Sequence, residues 1–166
     1  MSGKILVAYA TRYGSTMEVA EAIGDELRKA GMEVDVISVA KVKNLAEYRA
    51  AVIGSPIYMG KWLADAQVFV ERHQAILRTM PIAYFTVGLS PQEGTEEQRT
   101  QAAASMQQVK ELVPPVTTGL FTGKLNRRSL SFADQAIVTI VRAREGDFRD
   151  WNAIRSWARD LKKSIA

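Results

Sequence analysis

Ile5-Leu6-Val7-Ala8-Tyr9-Ala10-Thr11-Arg12-Tyr13-Gly14-Ser15-Thr16 leads into a helical run that begins at Met17. The unbroken apolar stretch Ile5 to Ala8 is the signature of a strand covered on both faces. It feeds a short loop rich in hydroxyls. At the start of the following helix the first backbone N–H groups have no internal partner, and the helix dipole favours negative charge there. Thr11, Ser15 and Thr16 add side-chain donors, Gly14 allows a tight turn, and Arg12 adds charge. A terminal phosphate suits such a loop. The alternative is a plain strand-to-helix turn in which Ser15 or Thr16 serves only as an N-cap.

Two common phosphate loops are excluded. No G-x-x-x-x-G-K-[ST] follows this strand, and no G-x-G-x-x-G occurs anywhere in the chain. What remains is T-x-x-G-[ST]-T.

Outward from this loop, strands and helices alternate. Val19, Ala20, Ile23, Leu27 and Ala30 recur at helical spacing, and Gly31 stands where a helix would stop. Val34, Val36 and Val39 alternate with polar residues in a half-exposed second strand. Ala50 to Gly54 forms a third, buried strand, followed by the loop Ser55 to Trp62 and a helix over 64–78. Pro81 opens a fourth strand, Ile82 to Val87, and Gly88 to Gly94 is loop. Thr95 and Gln98 form a capping box for a helix reaching Leu112, which Pro114 and Pro115 end. Val116 to Phe121 is a fifth strand, and Asp150 caps a last helix with an apolar stripe at Trp151, Ile154, Trp157, Ala158 and Leu161. The pattern predicts an α/β fold, with a parallel sheet and helices on both faces.

The 166 residues suffice for one core, so a single domain over 1–166 is expected. The absence of cysteine excludes disulfides, thiol nucleophiles, thiolate zinc sites and iron–sulfur clusters, and no metal site is expected. Lys4 and the short apolar run after it do not form a signal peptide, and no run approaches a membrane span, so a cytoplasmic protein is expected. The net charge of +4 lies wholly in the C-terminal quarter: from Lys124 to Lys163 there are ten Lys and Arg against five Asp and Glu, and the remainder holds twelve against thirteen. A solvated helical face explains this, as does an acidic partner, an anionic membrane or an anionic substrate. Nucleic acid is not among the expected partners.

Ligands of such sheets bind beyond the carboxyl ends of the strands, where strand order reverses. The first, third and fourth strands all end in Gly- or hydroxyl-rich loops. In the loop after the third strand, Tyr58 and Trp62 offer flat rings to a planar heterocycle, while Pro56 and Gly60 give stiffness and close backbone approach. Alternatively Trp62 packs under the following helix and Tyr58 anchors the surface. A phosphate with a planar ring points to a mononucleotide.

With T-R-Y-G-S-T, then G-S-P-I-Y-M-G-K-W, then Gly88-Leu89-Ser90, the chain resembles the flavodoxin family over nearly its whole length. That resemblance implies a flavodoxin-like doubly wound five-stranded parallel sheet, order 2-1-3-4-5. Flavodoxins are themselves the standard example of FMN at such a switch point. By the resemblance, Thr11, Arg12, Tyr13, Gly14, Ser15 and Thr16 form the phosphate end of an FMN site. Ser55, Pro56, Ile57, Tyr58, Met59, Gly60, Lys61 and Trp62, with Gly88, Leu89 and Ser90, bracket the isoalloxazine.

Electron-carrier flavodoxins are usually acidic and stack a tyrosine from the loop after the fourth strand; this chain is basic, and Leu89 to Thr95 holds no aromatic residue. Fewer carboxylates near the ring also disfavour a low potential. The G-S-P-I-Y-M-G-K-W loop, the Gln67-Val68-Phe69-Val70 helix and Asp150-Trp151 are similar to the flavodoxin-type, menaquinone-dependent protoporphyrinogen oxidases. The resemblance implies oxidation of a porphyrinogen through FMN with electrons passed to a quinone. The alternative is a non-catalytic electron carrier docking on a redox protein.

An extra segment, 123–149, separates the fifth strand from the last helix. It holds Leu130, Phe132, Ala133, Ile137, Ile140 and Val141, flanked by Arg127 and Arg128 on one side and Arg142 and Arg144 on the other. An apolar helix with basic ends suits the inner face of an anionic membrane, a porphyrinogen carboxylate, or simply the sheet it covers. No residue declares itself the catalytic base; His73, the only histidine, is expected mid-helix as a packing or surface residue.

Overall fold

The computed structural model describes residues 3–12, 14–58, 60–89, 96–122, 124–125, 146–147 and 149–165. Strand β1 (Lys4–Tyr9) is fully buried from Ile5 to Ala8, as an apolar run between two helical layers must be. It pairs in parallel with β2 (Val34–Ser38) on one side and β3 (Tyr48–Tyr58) on the other. Beyond β3 lie β5 (Ile82–Leu89) and β6 (Thr117–Thr122), also parallel. The order β2-β1-β3-β5-β6 is the expected doubly wound one.

The sheet has six strands where five were expected. Strand β3 does not end at Gly54 but runs on to Tyr58, and β4 (Lys61–Trp62) folds back on it antiparallel, Ile57 opposite Trp62 and Tyr58 opposite Lys61. The stretch read as a loop is thus a β-hairpin. Its Pro56 is tolerated because β1 pairs with β3 only as far as Gly54, leaving that strand without this neighbour beyond it.

Successive residues of β1 face opposite layers. Ile5 and Val7 join the core under α1 (Ser15–Lys29) and α6 (Trp151–Ile165), through Val19, Ile23, Leu27, Ile154, Ala158 and Leu161. Leu6 and Ala8 face α2 (Ala64–Arg72), α3 (Gln74–Leu77) and α5 (Gln107–Leu112), through Phe69, Val70, Leu77 and Val109. Asp150 caps α6 as expected, its Oδ1 accepting from Ala153 N at 3.0 Å.

Two expected helices are each divided. The span 64–78 breaks at His73 (φ −102°, ψ 14°), and the chain beyond is drawn toward the end of α5, where Gln74 Nε2 and Arg78 Nε donate to Leu112 O at 3.3 and 2.8 Å. The next helix divides into α4 (Glu96–Ala104) and α5 at Ser105 and Met106. There the Ser105 hydroxyl donates to Ala102 O, competing with the helical backbone. The proposed cap at Thr95 lies outside the described residues. Strands β7 (Lys124–Leu125) and β8 (Gly146–Asp147) pair antiparallel and bring together the two ends of the extra segment; its expected apolar helix lies outside the described residues. Among the described residues no helix is long and apolar enough to cross a membrane.

Candidate cofactor site

Parallel pairing aligns the carboxyl ends of β1, β3 and β5. Ala10 N donates to Gly54 O at 2.9 Å, and Pro56 lies opposite Val87, so the T-R-Y-G-S-T loop, the β3–β4 hairpin and Gly88 share one edge. Gly88 stands so close to Ile57 that an added Cβ would lie 3.3 Å from the Ile57 Cβ.

At the phosphate end, α1 begins at Ser15, two residues earlier than expected from sequence. The cause is Gly14, which takes the N-cap position in the left-handed region (φ 89°) while its N–H donates to Thr11 Oγ1 at 2.8 Å. Neither Ser15 nor Thr16 is therefore the N-cap, and Gly14 has no side chain with which to cap. Thr16 is fully buried, and its Oγ1 has no hydrogen-bond partner among the described residues. A buried hydroxyl left unpaired costs about 1–3 kcal/mol. An anion at this helix start would give Thr16 Oγ1 an acceptor, and the first-turn N–H groups would face it. The residues fit a phosphate.

The ring end is built differently from the expectation for Trp62. Its side chain is only 2 % exposed, its Nε1 donates to buried Thr86 Oγ1 at 2.8 Å, and its ring meets Tyr84 edge-on at 5.3 Å. Trp62 is core beneath the hairpin, so its ring face is not available for stacking on a cofactor. Ser55 is also buried: its hydroxyl accepts from Leu63 N at 2.9 Å and donates to Pro56 O at 2.9 Å, which fixes the step from hairpin to α2. Tyr58 is half-buried, and the Arg12 guanidinium lies 4.5 Å from its ring centroid. That contact joins the loop after β1 to the β3–β4 hairpin. Gly60 turns the hairpin with φ 81°, and Lys61 beside it is exposed.

The structure therefore brings together Thr11, Arg12, Gly14, Ser15 and Thr16 with Pro56, Ile57, Tyr58, Gly60, Lys61 and Gly88. Tyr13, Met59 and Ser90 lie outside the described residues; for Leu89 only the backbone, the last residue of β5, is described. His73 belongs elsewhere, at the break after α2, packed on Phe69 with ring centroids 4.8 Å apart. Burial, aided by neighbouring Arg72, holds its pKa below the ordinary value.

Two residues near the site escape the sequence reading. Glu18, in the first turn of α1, accepts from Arg149 Nη1 at 2.7 Å, and that guanidinium also covers the Trp151 ring at 4.6 Å. A first-turn acid is visible in sequence, but its partner 131 positions away is not.

The sequence model of the flavodoxin domain matches residues 6–152. Across 172 aligned positions the chain is 24% identical to the protoporphyrinogen IX dehydrogenase [quinone] of Escherichia coli K12, spanning 95% of this chain and 94% of that one. A protein of the same name from Leishmania major is also 24% identical, over 96% of this chain and 75% of its own length. Oxidised flavodoxin 1 from Bacillus cereus superposes with a TM-score of 0.63 over 99% of this chain and 100% of that one, at 17% identity.

Proposed function

The chain belongs to the flavodoxin domain family, and on that premise we propose that it is an FMN-dependent dehydrogenase that oxidises a porphyrinogen and delivers the electrons to a quinone. The observation that carries the cofactor assignment is the Thr16 hydroxyl, buried and without a partner among the described residues, at the start of α1, where Gly14 offers no side-chain cap. The substrate assignment is supported by relatives named for protoporphyrinogen and quinone that align along almost the whole chain.

FMN, when bound, would supply the hydride and electron chemistry. The chain's own residues hold and tune it. Thr11 ties Gly14 into the cap geometry, and Thr16 with the first-turn N–H groups of α1 binds the phosphate. Tyr58 offers a ring face, Ile57 and Gly88 form a close wall, and the positive charges of Arg12 and Lys61 favour the electron-rich reduced cofactor. No side chain among the described residues is assigned as a base. Within this reading the basic charges of segment 123–149 would recognise the porphyrinogen carboxylates or an anionic membrane surface holding the quinone, and the protein would act at the membrane periphery.

An anaerobic experiment tests the proposal. Protein loaded with FMN is mixed with protoporphyrinogen IX, then with menaquinone. The expected result is bleaching of the flavin absorbance by the porphyrinogen, then, on addition of at least three equivalents of menaquinone, recovery of the flavin and appearance of the porphyrin Soret band, because the porphyrinogen gives up six electrons and each flavin accepts two. Tight FMN binding with no porphyrin formed would leave an electron carrier that serves a redox protein. Failure to bind FMN would overturn both.

A further inference from the structure

We infer that Arg149 is a positioning residue for the cofactor phosphate, acting by neutralising Glu18 inside the first turn of the phosphate-binding helix. The inference rests on the FMN reading above.

Glu18 follows Gly14 by four residues, so it lies on the same helix face one turn below the N-cap, and side chains on a helix tilt back toward its N-terminus. Its N–H reaches Gly14 O at 3.4 Å. A carboxylate there is favoured by the field of the helix start, the same field a phosphate would use. Left uncompensated, Glu18 competes with the phosphate and repels it.

Arg149 removes that conflict. Its Nη1 lies 2.7 Å from Glu18 Oε2, a charge-assisted contact; the Arg149 side chain is only 4 % exposed and so held in place, while that of Glu18 is 47 % exposed, so solvent screens the pair from the Glu18 side. The guanidinium lies over the Trp151 ring, and the next residue, Asp150, caps α6 through Ala153 N. The cation therefore arrives in one geometry from the far end of the extra segment, next to the helix that meets the anion.

A tie that merely joins α6 to α1 would affect every ligand alike; a charge shield affects only those with a phosphate. The experiment compares FMN with riboflavin, which lacks it, by quenching of flavin fluorescence at ~50 mM salt, where electrostatics are least screened. For R149M the expected result is FMN affinity lowered about tenfold, riboflavin affinity within about twofold of wild type, and an FMN loss that shrinks as salt is raised. For E18Q/R149M, with both charges gone, FMN affinity returns to within about threefold of wild type. Riboflavin binding by R149M serves as its own control for folding.

Equal losses for FMN and riboflavin overturn the inference, as does a double variant no better than R149M, or an R149M that binds FMN like wild type. Wild-type protein that binds neither flavin overturns the FMN reading itself, and the inference falls with it.

Discussion

Thr16 sets the energetics of the site at the scale of a single atom. Its hydroxyl is buried with no partner among the described residues, an arrangement that costs about 1–3 kcal/mol unless an acceptor meets it. Replacing it with valine keeps the branched shape and removes the polar atom. T16V is therefore expected to raise the stability of the apoprotein by about 1 kcal/mol while lowering FMN affinity at least about tenfold. Thermal melts of the apoprotein and a fluorescence titration with FMN measure the two effects. A destabilised apoprotein, or unchanged affinity, would show that the hydroxyl is not held for a phosphate. The type of this residue was legible in sequence, but its state was not. Ser15 and Thr16 look equally suited to capping, and only the left-handed Gly14, bonded to Thr11, moves both into the helix. Trp62 makes the opposite point. A tryptophan near a cofactor loop looks like a stacking ring, and it proves to be floor, because Thr86 on β5 accepts its indole N–H.

Strand β3 shows how an element was read correctly in kind and wrongly in extent. Its buried apolar run announced a central strand, whereas Ser55, Pro56 and Gly60 carry the composition of a loop and hid the hairpin. Register explains the difference: β1 ends opposite Gly54, but β5 continues opposite Ser55 and Pro56, so pairing persists on that side. The break at His73 was similarly hidden, because the anchor at Leu112 O comes from a distant element. Gly54 is required by packing rather than by turning. A Cβ there would overlap the ring of Phe85, which is fully buried and packed against Phe121 and Trp157 with centroids 6.4 and 6.2 Å away. G54A is expected to destabilise the protein by about 1–3 kcal/mol through overpacking, measured by urea denaturation. The double variant G54A/F85L, with room for the methyl group, should lose less than the sum of its two single changes. Strict additivity would mean that the ring and the glycine do not share the space.

At the scale of the whole molecule, the basic C-terminal quarter divides into two parts. Some of its charge is consumed inside the fold: Arg155 and Arg159 of α6 reach the buried Glu26 of α1 at 3.9 and 3.7 Å, and Arg149 reaches Glu18. These contacts fasten α6 to the helix that starts at the cofactor site, and they explain part of the charge asymmetry without any partner. Arg127, Arg128, Arg142 and Arg144 belong instead to the extra segment, whose ends meet in the β7–β8 ladder, Lys124 opposite Asp147 and Leu125 opposite Gly146. Because the ends are paired antiparallel, residues 126–145 can be replaced by an Asn-Gly hairpin turn with no demand on the main sheet. The shortened protein keeps every described residue of both core clusters and Arg149. It is expected to fold, to bind FMN with affinity within about threefold of wild type, and to lose porphyrinogen oxidation and binding to vesicles containing anionic lipid. Circular dichroism, flavin titration and vesicle sedimentation measure these separately. An unfolded product would make the segment a cover for the core, and retained turnover with retained vesicle binding would place both substrate and membrane recognition elsewhere on the chain.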